Sequence, residues 1–103
     1  MAYRVDVTDS AAEDLNGIVF YITDTLSAPF AAAVFLDDVA SCYNQLEVTP
    51  FMYERCADKR LCELGYRRTV IRNYIMVYKV DEERGIVYVL RFFYCGRDYE
   101  QLM

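Results

Sequence analysis

Histidine is absent from the 103-residue chain, and with it goes the side chain that most readily moves protons near neutral pH and most often binds metals. Cysteine pairs at Cys-x-x-Cys spacing are absent too. The four cysteines, Cys42, Cys56, Cys62 and Cys95, match no common zinc ribbon or finger, so no metal and no cofactor is expected. They read as reduced, partly buried thiols of a reducing compartment. No apolar run approaches the roughly 18–20 residues of a membrane span. The opening Met1-Ala2-Tyr3-Arg4-Val5-Asp6 lacks the basic and apolar regions of a signal peptide. A cytoplasmic protein with no membrane partner is therefore the expectation. Internal repeats and low-complexity tracts are lacking as well.

Basic residues are scarce in the first half of the chain. Residues 1–50 hold one base, Arg4, against eight acids, whereas residues 51–103 hold ten bases against eight acids. The net charge of −5 thus hides a cationic second half. An acidic chain repels nucleic acid at long range, although a local basic patch still acts within the screening distance of roughly 8–10 Å. The hydrophobic content of 55% argues against disorder, and the length suits one domain, residues 1–103, around one core.

Taken in order, residues 2–7 alternate, with Tyr3, Val5 and Val7 on one side and Arg4 and Asp6 on the other, as in a strand with one covered face. Ser10 and Glu13 fit a capping box, and Leu15, Ile18, Val19 and Ile22 form the apolar stripe of a helix that ends near Asp24-Thr25. Ser27-Ala28-Pro29 starts a second helix, which presents Phe35 or Leu36, Val39, Tyr43 and Leu46 to a core before Pro50 stops it. Residues 48–60 have no clean period and read as a loop. Extended structure is expected to resume near Leu61-Cys62-Glu63-Leu64.

Three extended segments follow: Tyr66–Ile71, Tyr74–Val80 and Ile86–Phe93. Their β-branched and aromatic residues suit a pleated surface. Arg72-Asn73 separates the first pair, and Asp81–Gly85 the second, with Gly85 suited to a positive φ. The expected fold is α+β with the order β-α-α-β-β-β, an antiparallel sheet with two helices packed on one face. The other face is expected to be open and concave, edged by Arg67, Arg68, Arg72, Arg91 and Arg97. Adjacent strand residues point to opposite faces, so only one of Arg67 and Arg68 can lie there.

The same residues resemble the RelE/ParE superfamily of type II toxin–antitoxin toxins over almost the whole chain. The resemblance rests on Val7-Thr8-Asp9-Ser10-Ala11-Ala12-Glu13-Asp14-Leu15, on Tyr21-Ile22, and on Leu46 followed by Pro50. It continues through Gly65-Tyr66-Arg67-Arg68, Asn73-Tyr74-Ile75-Met76-Val77-Tyr78, Val89-Leu90-Arg91 and Gly96-Arg97-Asp98-Tyr99. It implies a growth-blocking toxin neutralised by a cognate antitoxin. The target is DNA gyrase in ParE-like members, and the ribosome with its mRNA in RelE-like endonucleases. A homodimer or a heterotetramer with the antitoxin is the implied assembly.

Carried over by residue, the resemblance makes Arg68, Arg97, Tyr94 and Tyr99 the catalytic candidates. Arg67, Arg91, Lys79 and Tyr78 are the candidates for contact with target or antitoxin. Cleaving RNA through its own 2′-hydroxyl needs a base, cations for the developing charge and an acid. Ile75 stands where the family's aromatic strand usually has an arginine, so the basic set is incomplete. The ending Leu90-Arg91-Phe92-Phe93-Tyr94-Cys95-Gly96-Arg97-Asp98 is similar to ParE-like sequences, which tilts the expectation toward gyrase. A degenerate interaction module without toxicity is the competing class. Plainer readings stand beside the sharp ones: Arg91 pairing with Asp98, Arg97 and Asp98 closing the terminus, and tyrosines that only pack.

Overall fold

The computed structural model describes residues 2–103. Strand β1 (Arg4–Val7) leads into helix α1 (Asp9–Phe20), which runs on into a π-helical turn (Tyr21–Thr25). Helix α2 (Pro29–Val48) follows, then a short α3 (Lys59–Glu63), strands β2 (Arg67–Ile71), β3 (Tyr74–Asp81) and β4 (Ile86–Tyr94), and a final turn of helix, α4 (Tyr99–Leu102). The sheet order is β1-β4-β3-β2. The meander is antiparallel as expected, but β1 joins β4 in parallel, so the sheet is mixed. A return through two helices carries the chain back across the sheet, which is what a parallel neighbour requires.

The turns obey local chemistry. Arg72 (φ 56°) and Gly85 (φ 67°) take left-handed conformations in the two hairpins. The first helix is capped by Thr8 rather than by the expected Ser10–Glu13 box. Thr8 Oγ1 accepts from the Ala11 amide at 3.2 Å and donates to the Val89 carbonyl at 2.9 Å. That choice ties the helix start to β4, through the bond from Thr8 to the Val89 carbonyl.

Two apolar clusters flank the sheet. The larger lies under α1 and α2 and contains Ile22, Phe35, Val39, Leu46, Met76, Tyr78, Val87 and Val89, much as the helical stripes indicate. Leu36 stays half out at 39% exposure, so Phe35 is the inward residue. The smaller, on the opposite face, joins Ile75, Val77 and Phe93 to Cys56, Leu61 and Tyr99. Two expectations are overturned here. Residues 61–64 are not extended: Asp58 caps α3 by accepting from the Leu61 amide at 3.1 Å, and Leu61 is driven onto the sheet. The second face is therefore not open at its centre, because α3 and α4 cover Ile75, Val77 and Phe93. The physical reason is their apolarity: three large side chains on one face would expose too much surface to water. What remains open on that face is its other end, around Lys79 and Tyr88.

Candidate functional site

The cross-strand register brings the predicted arginines into one row. Arg68 on β2 lies opposite Val77, and Val77 lies opposite Arg91 on β4, so two guanidinium groups flank one buried valine. A bulge in β4 opposite Val77 and Tyr78 turns Arg91 to this face while keeping Val89 on the other. Arg67, one residue before Arg68, points to the helical face. It donates to the Tyr53 carbonyl at 2.7 Å and stacks 5.0 Å from the Phe51 ring centroid.

Neither arginine of the row is loose. Arg91 donates to both carboxylate oxygens of Asp14 on α1, at 2.6 and 3.2 Å, and its guanidinium carbon sits 4.9 Å from the Phe93 ring centroid. The hydrogen bond to Asp14 raises its pKa further. The partner is thus Asp14 rather than the Asp98 weighed from the sequence. Arg68 lies 6.0 Å from the Tyr99 ring centroid.

Tyr99 is buried, tilted against Phe93 with centroids 6.2 Å apart. Burial first, and then its neighbour Cys56, push its hydroxyl up to about 12. Tyr78 is fully buried and donates to the Pro50 carbonyl at 3.1 Å. It cannot contact a partner, and its assignment to a binding surface is corrected. Its side chain lies on the face covered by α1 and α2, inside the larger apolar cluster. Lys79 is half-buried opposite Tyr88, at the uncovered end of the second face.

Tyr94 and Arg97 are both exposed. They line a cleft of about 1150 Å³ between the α1–α2 connection and the ends of β3 and β4. Tyr94 packs edge-on against Tyr74 at 5.8 Å. Arg91 also reaches the cleft, whereas Arg68 and Tyr99 do not line it. Arg97 makes no ion pair with Asp98 among the described residues. The eight candidates therefore divide among an arginine of β2 against Tyr99 of α4, a cleft, a helical-face arginine, a lysine at the open end and a core tyrosine.

Sequence reasoning missed the rim of that cleft. Tyr21, Leu26 and Phe30 stand 47%, 54% and 81% exposed beside it. The signal was available: Leu26 and Phe30 bracket the helix break at Ser27-Ala28-Pro29 and fall outside either apolar stripe. All four cysteines are free, with Cys42 and Cys56 buried and Cys95 exposed. Among the described residues no group of three histidine, cysteine, aspartate or glutamate side chains could hold a metal ion, and no helix is long and apolar enough to cross a membrane.

Comparison with known proteins follows from this architecture. A profile of the ParE toxin of the type II toxin–antitoxin system, parDE, matches residues 5–99. No curated protein matches the sequence. Among solved structures, the chromosomal ParDE toxin–antitoxin system of P. aeruginosa superposes with TM-score 0.69 at 18% identity, covering 90% of this chain and 96% of that one. The RelBE2 toxin–antitoxin complex of Mycobacterium tuberculosis gives 0.64 at 20% identity, covering 91% and 99%. The archaeal RelE–RelB complex of Pyrococcus horikoshii OT3 gives 0.64 at 18%, covering 94% and 99%. At such identities the likeness is one of fold. The profile match spans nearly the whole chain, and the chain belongs to the ParE toxin family of type II toxin–antitoxin systems, within the RelE/ParE superfamily.

Proposed function

We propose that this toxin blocks growth by binding DNA gyrase in a ParE-like manner, without cutting a covalent bond itself, and that a cognate antitoxin neutralises it. The antitoxin reading draws on the solved relatives, each of which is a toxin–antitoxin complex. A homodimer or a heterotetramer with the antitoxin is the assembly proposed.

One observation carries the choice of target: the groups that in-line RNA cleavage would need do not meet as a working set. A general base must lose its proton near neutral pH and must reach the 2′-hydroxyl. Tyr99, with its hydroxyl pushed up to about 12, is buried. At pH 7 such a phenol is ionised in about one molecule in 10⁵. Arg68 lies against its ring, and Arg91 is occupied by Asp14. Tyr94 and Arg97 are accessible, but neither Arg68 nor Tyr99 shares their cleft. Removing one donor to a transition-state charge costs roughly 100-fold or more, and a scattered set forfeits several. Inhibition by binding needs none of these alignments. It needs an exposed, chemically mixed surface, which the cleft and its aromatic rim supply.

The test is biochemical. Purified protein should inhibit supercoiling by gyrase and accumulate gyrase–DNA cleavage complexes. Codon-spaced cuts in mRNA by primer extension after induction, with gyrase unaffected, would instead establish a ribosome-dependent endonuclease.

A further inference from the structure

The uncovered end of the second face carries an ordered pattern of charge. Tyr3 and Val5 on β1, Val87 on β4, and Tyr78 and Val80 on β3 pack into the larger cluster beneath α1 and α2. Their neighbours along each strand therefore point to the second face. The register sets those neighbours in two rows across the sheet: Asp6, Tyr88 and Lys79 in one, and Arg4, Ile86 and Asp81 in the next. Each row passes from one sign of charge, through an aromatic or apolar residue, to the other sign. The two rows run in opposite senses.

Within the chain these charges are only partly matched. Asp6 takes Nε and Nη2 of Arg4 at 2.9 and 3.1 Å, and among the described residues nothing bonds its Nη1. Asp81 accepts from the Arg84 amide at 3.1 Å. Lys79 has no ion pair among the described residues. A partner of one sign cannot satisfy such a pattern: a polyanion or an acidic peptide meets Asp6 and Asp81, and a basic one meets Arg4 and Lys79. A second copy can. Two sheets laid face to face about a two-fold axis parallel to the strands exchange left and right, so each row meets its own reverse. Asp6 then faces Lys79 of the second copy, Arg4 faces Asp81, and Tyr88 meets Tyr88 on the axis. An axis across the strands would instead set Asp6 on Asp6 and Lys79 on Lys79. The strands of the two copies run aligned, as in stacked sheets generally. Helices α3 and α4 pack on Ile75, Val77 and Phe93 and against Arg68 of β2, so the covers of two copies fall on opposite sides of the axis.

We infer that a second copy of this chain docks on the open end of the sheet, about a two-fold axis along β4, with Asp6–Lys79 and Arg4–Asp81 pairs on both sides of a Tyr88–Tyr88 contact. This rests on the homodimer proposed above and gives it a surface. Three strands span roughly 10–15 Å, a smaller contact than the roughly 800 Å² that each partner gives a standard interface. Association through it is therefore weak and sensitive to salt.

The experiment is analytical ultracentrifugation of the full chain from about 10 μM to about 1 mM, at low and at high salt. Expected is a monomer–dimer equilibrium that weakens at least about tenfold in high salt. Asp6→Lys and Lys79→Glu should each weaken it at least about tenfold again, because each sets like charges face to face twice. Mixed in equal amounts, the two variants should regain the dimer, since the introduced charges then meet opposite signs at both contacts. Arg4→Glu and Asp81→Lys repeat the test on the other row, and circular dichroism identifies the pair that keeps its fold. A parent dimer that folded variants retain, or that mixing them fails to restore, overturns the inference and leaves the homodimer standing on another surface. A parent that stays monomeric throughout overturns the homodimer and the inference together.

Discussion

Asp14 binds Arg91 and the β4 backbone at once: its Oδ2 accepts from Arg91 Nε at 2.6 Å and from the Phe92 amide at 3.0 Å. Strand β1 ends at Val7, opposite Val89, so beyond that point β4 has β3 on one side and no strand on the other among the described residues. The carboxylate serves Phe92 where a neighbouring carbonyl would otherwise stand. Because the pair is part-buried, its loss leaves two donors short of partners.

Asp14→Ala is accordingly expected to destabilise the fold by about 2–3 kcal/mol, with Asp14→Asn less damaging because its amide oxygen still accepts. Urea unfolding followed by circular dichroism measures both. A change below about 0.5 kcal/mol for Asp14→Ala would mean that water replaces the carboxylate at no cost.

Tyr43 presents the opposite case. Its hydroxyl is buried without a hydrogen-bond partner, and burial pushes its pKa up to about 12. Tyr43→Phe removes the stranded group and keeps the ring, so stability should hold or rise by about 1 kcal/mol. Thermal unfolding midpoints decide it, and a clear fall would reveal a partner for the hydroxyl.

Alkali should unfold the protein in a defined window. Tyr43, Tyr78 and Tyr99 each stand at about 12 in the fold, against an ordinary value near 10, with burial the first cause in all three. Raised phenol pKa values mean that the folded state holds its protons longer. The associated stability is whole below about pH 10 and is lost as pH climbs toward 12. Stability measured by urea from pH 8 upward should be flat and then fall, with near-ultraviolet absorbance showing delayed tyrosinate formation. Ionisation of every tyrosine near pH 10 without unfolding would contradict the burial.

The cleft can be separated from the core by substitution. Arg97→Ala and Phe30→Ser change exposed side chains, so stability should move by no more than about 0.5 kcal/mol. Growth arrest on induction should nonetheless weaken if the cleft contacts the target. Undiminished toxicity in both variants would remove this end of the molecule from the binding surface.

Much of the fold was legible because periodicity records burial. The stripes through Leu15–Ile22 and Phe35–Leu46 and the β-branched and aromatic runs of β2, β3 and β4 point to the right helices, strands and hairpins. Burial by tertiary contact was less visible. Nothing local in Tyr78 distinguishes a rim tyrosine from one whose hydroxyl finds the Pro50 carbonyl, twenty-eight positions away. Five residues in α3 are too few for a periodic signal, so its cover over Ile75 and Val77 went unread. Arg67 and Arg68 were correctly split between faces, because that follows from the pleat alone. For Arg91 the sequence offers Asp98 as one possible partner because it is near in sequence, whereas the actual partner, Asp14, is near only after β1 has docked beside β4.

That docking also sets an order of events during synthesis. The Thr8 hydroxyl reaches the Val89 carbonyl across 81 positions, and among the described residues β1 has β4 as its one strand neighbour. Contacts of such long separation form late, since the intervening loop must be closed before they give any return. A nascent chain that has not released its last strand leaves its first one unpaired, so premature termination should yield an inert fragment. The four-stranded sheet, and the cleft at the ends of β3 and β4, are complete only at the end of translation.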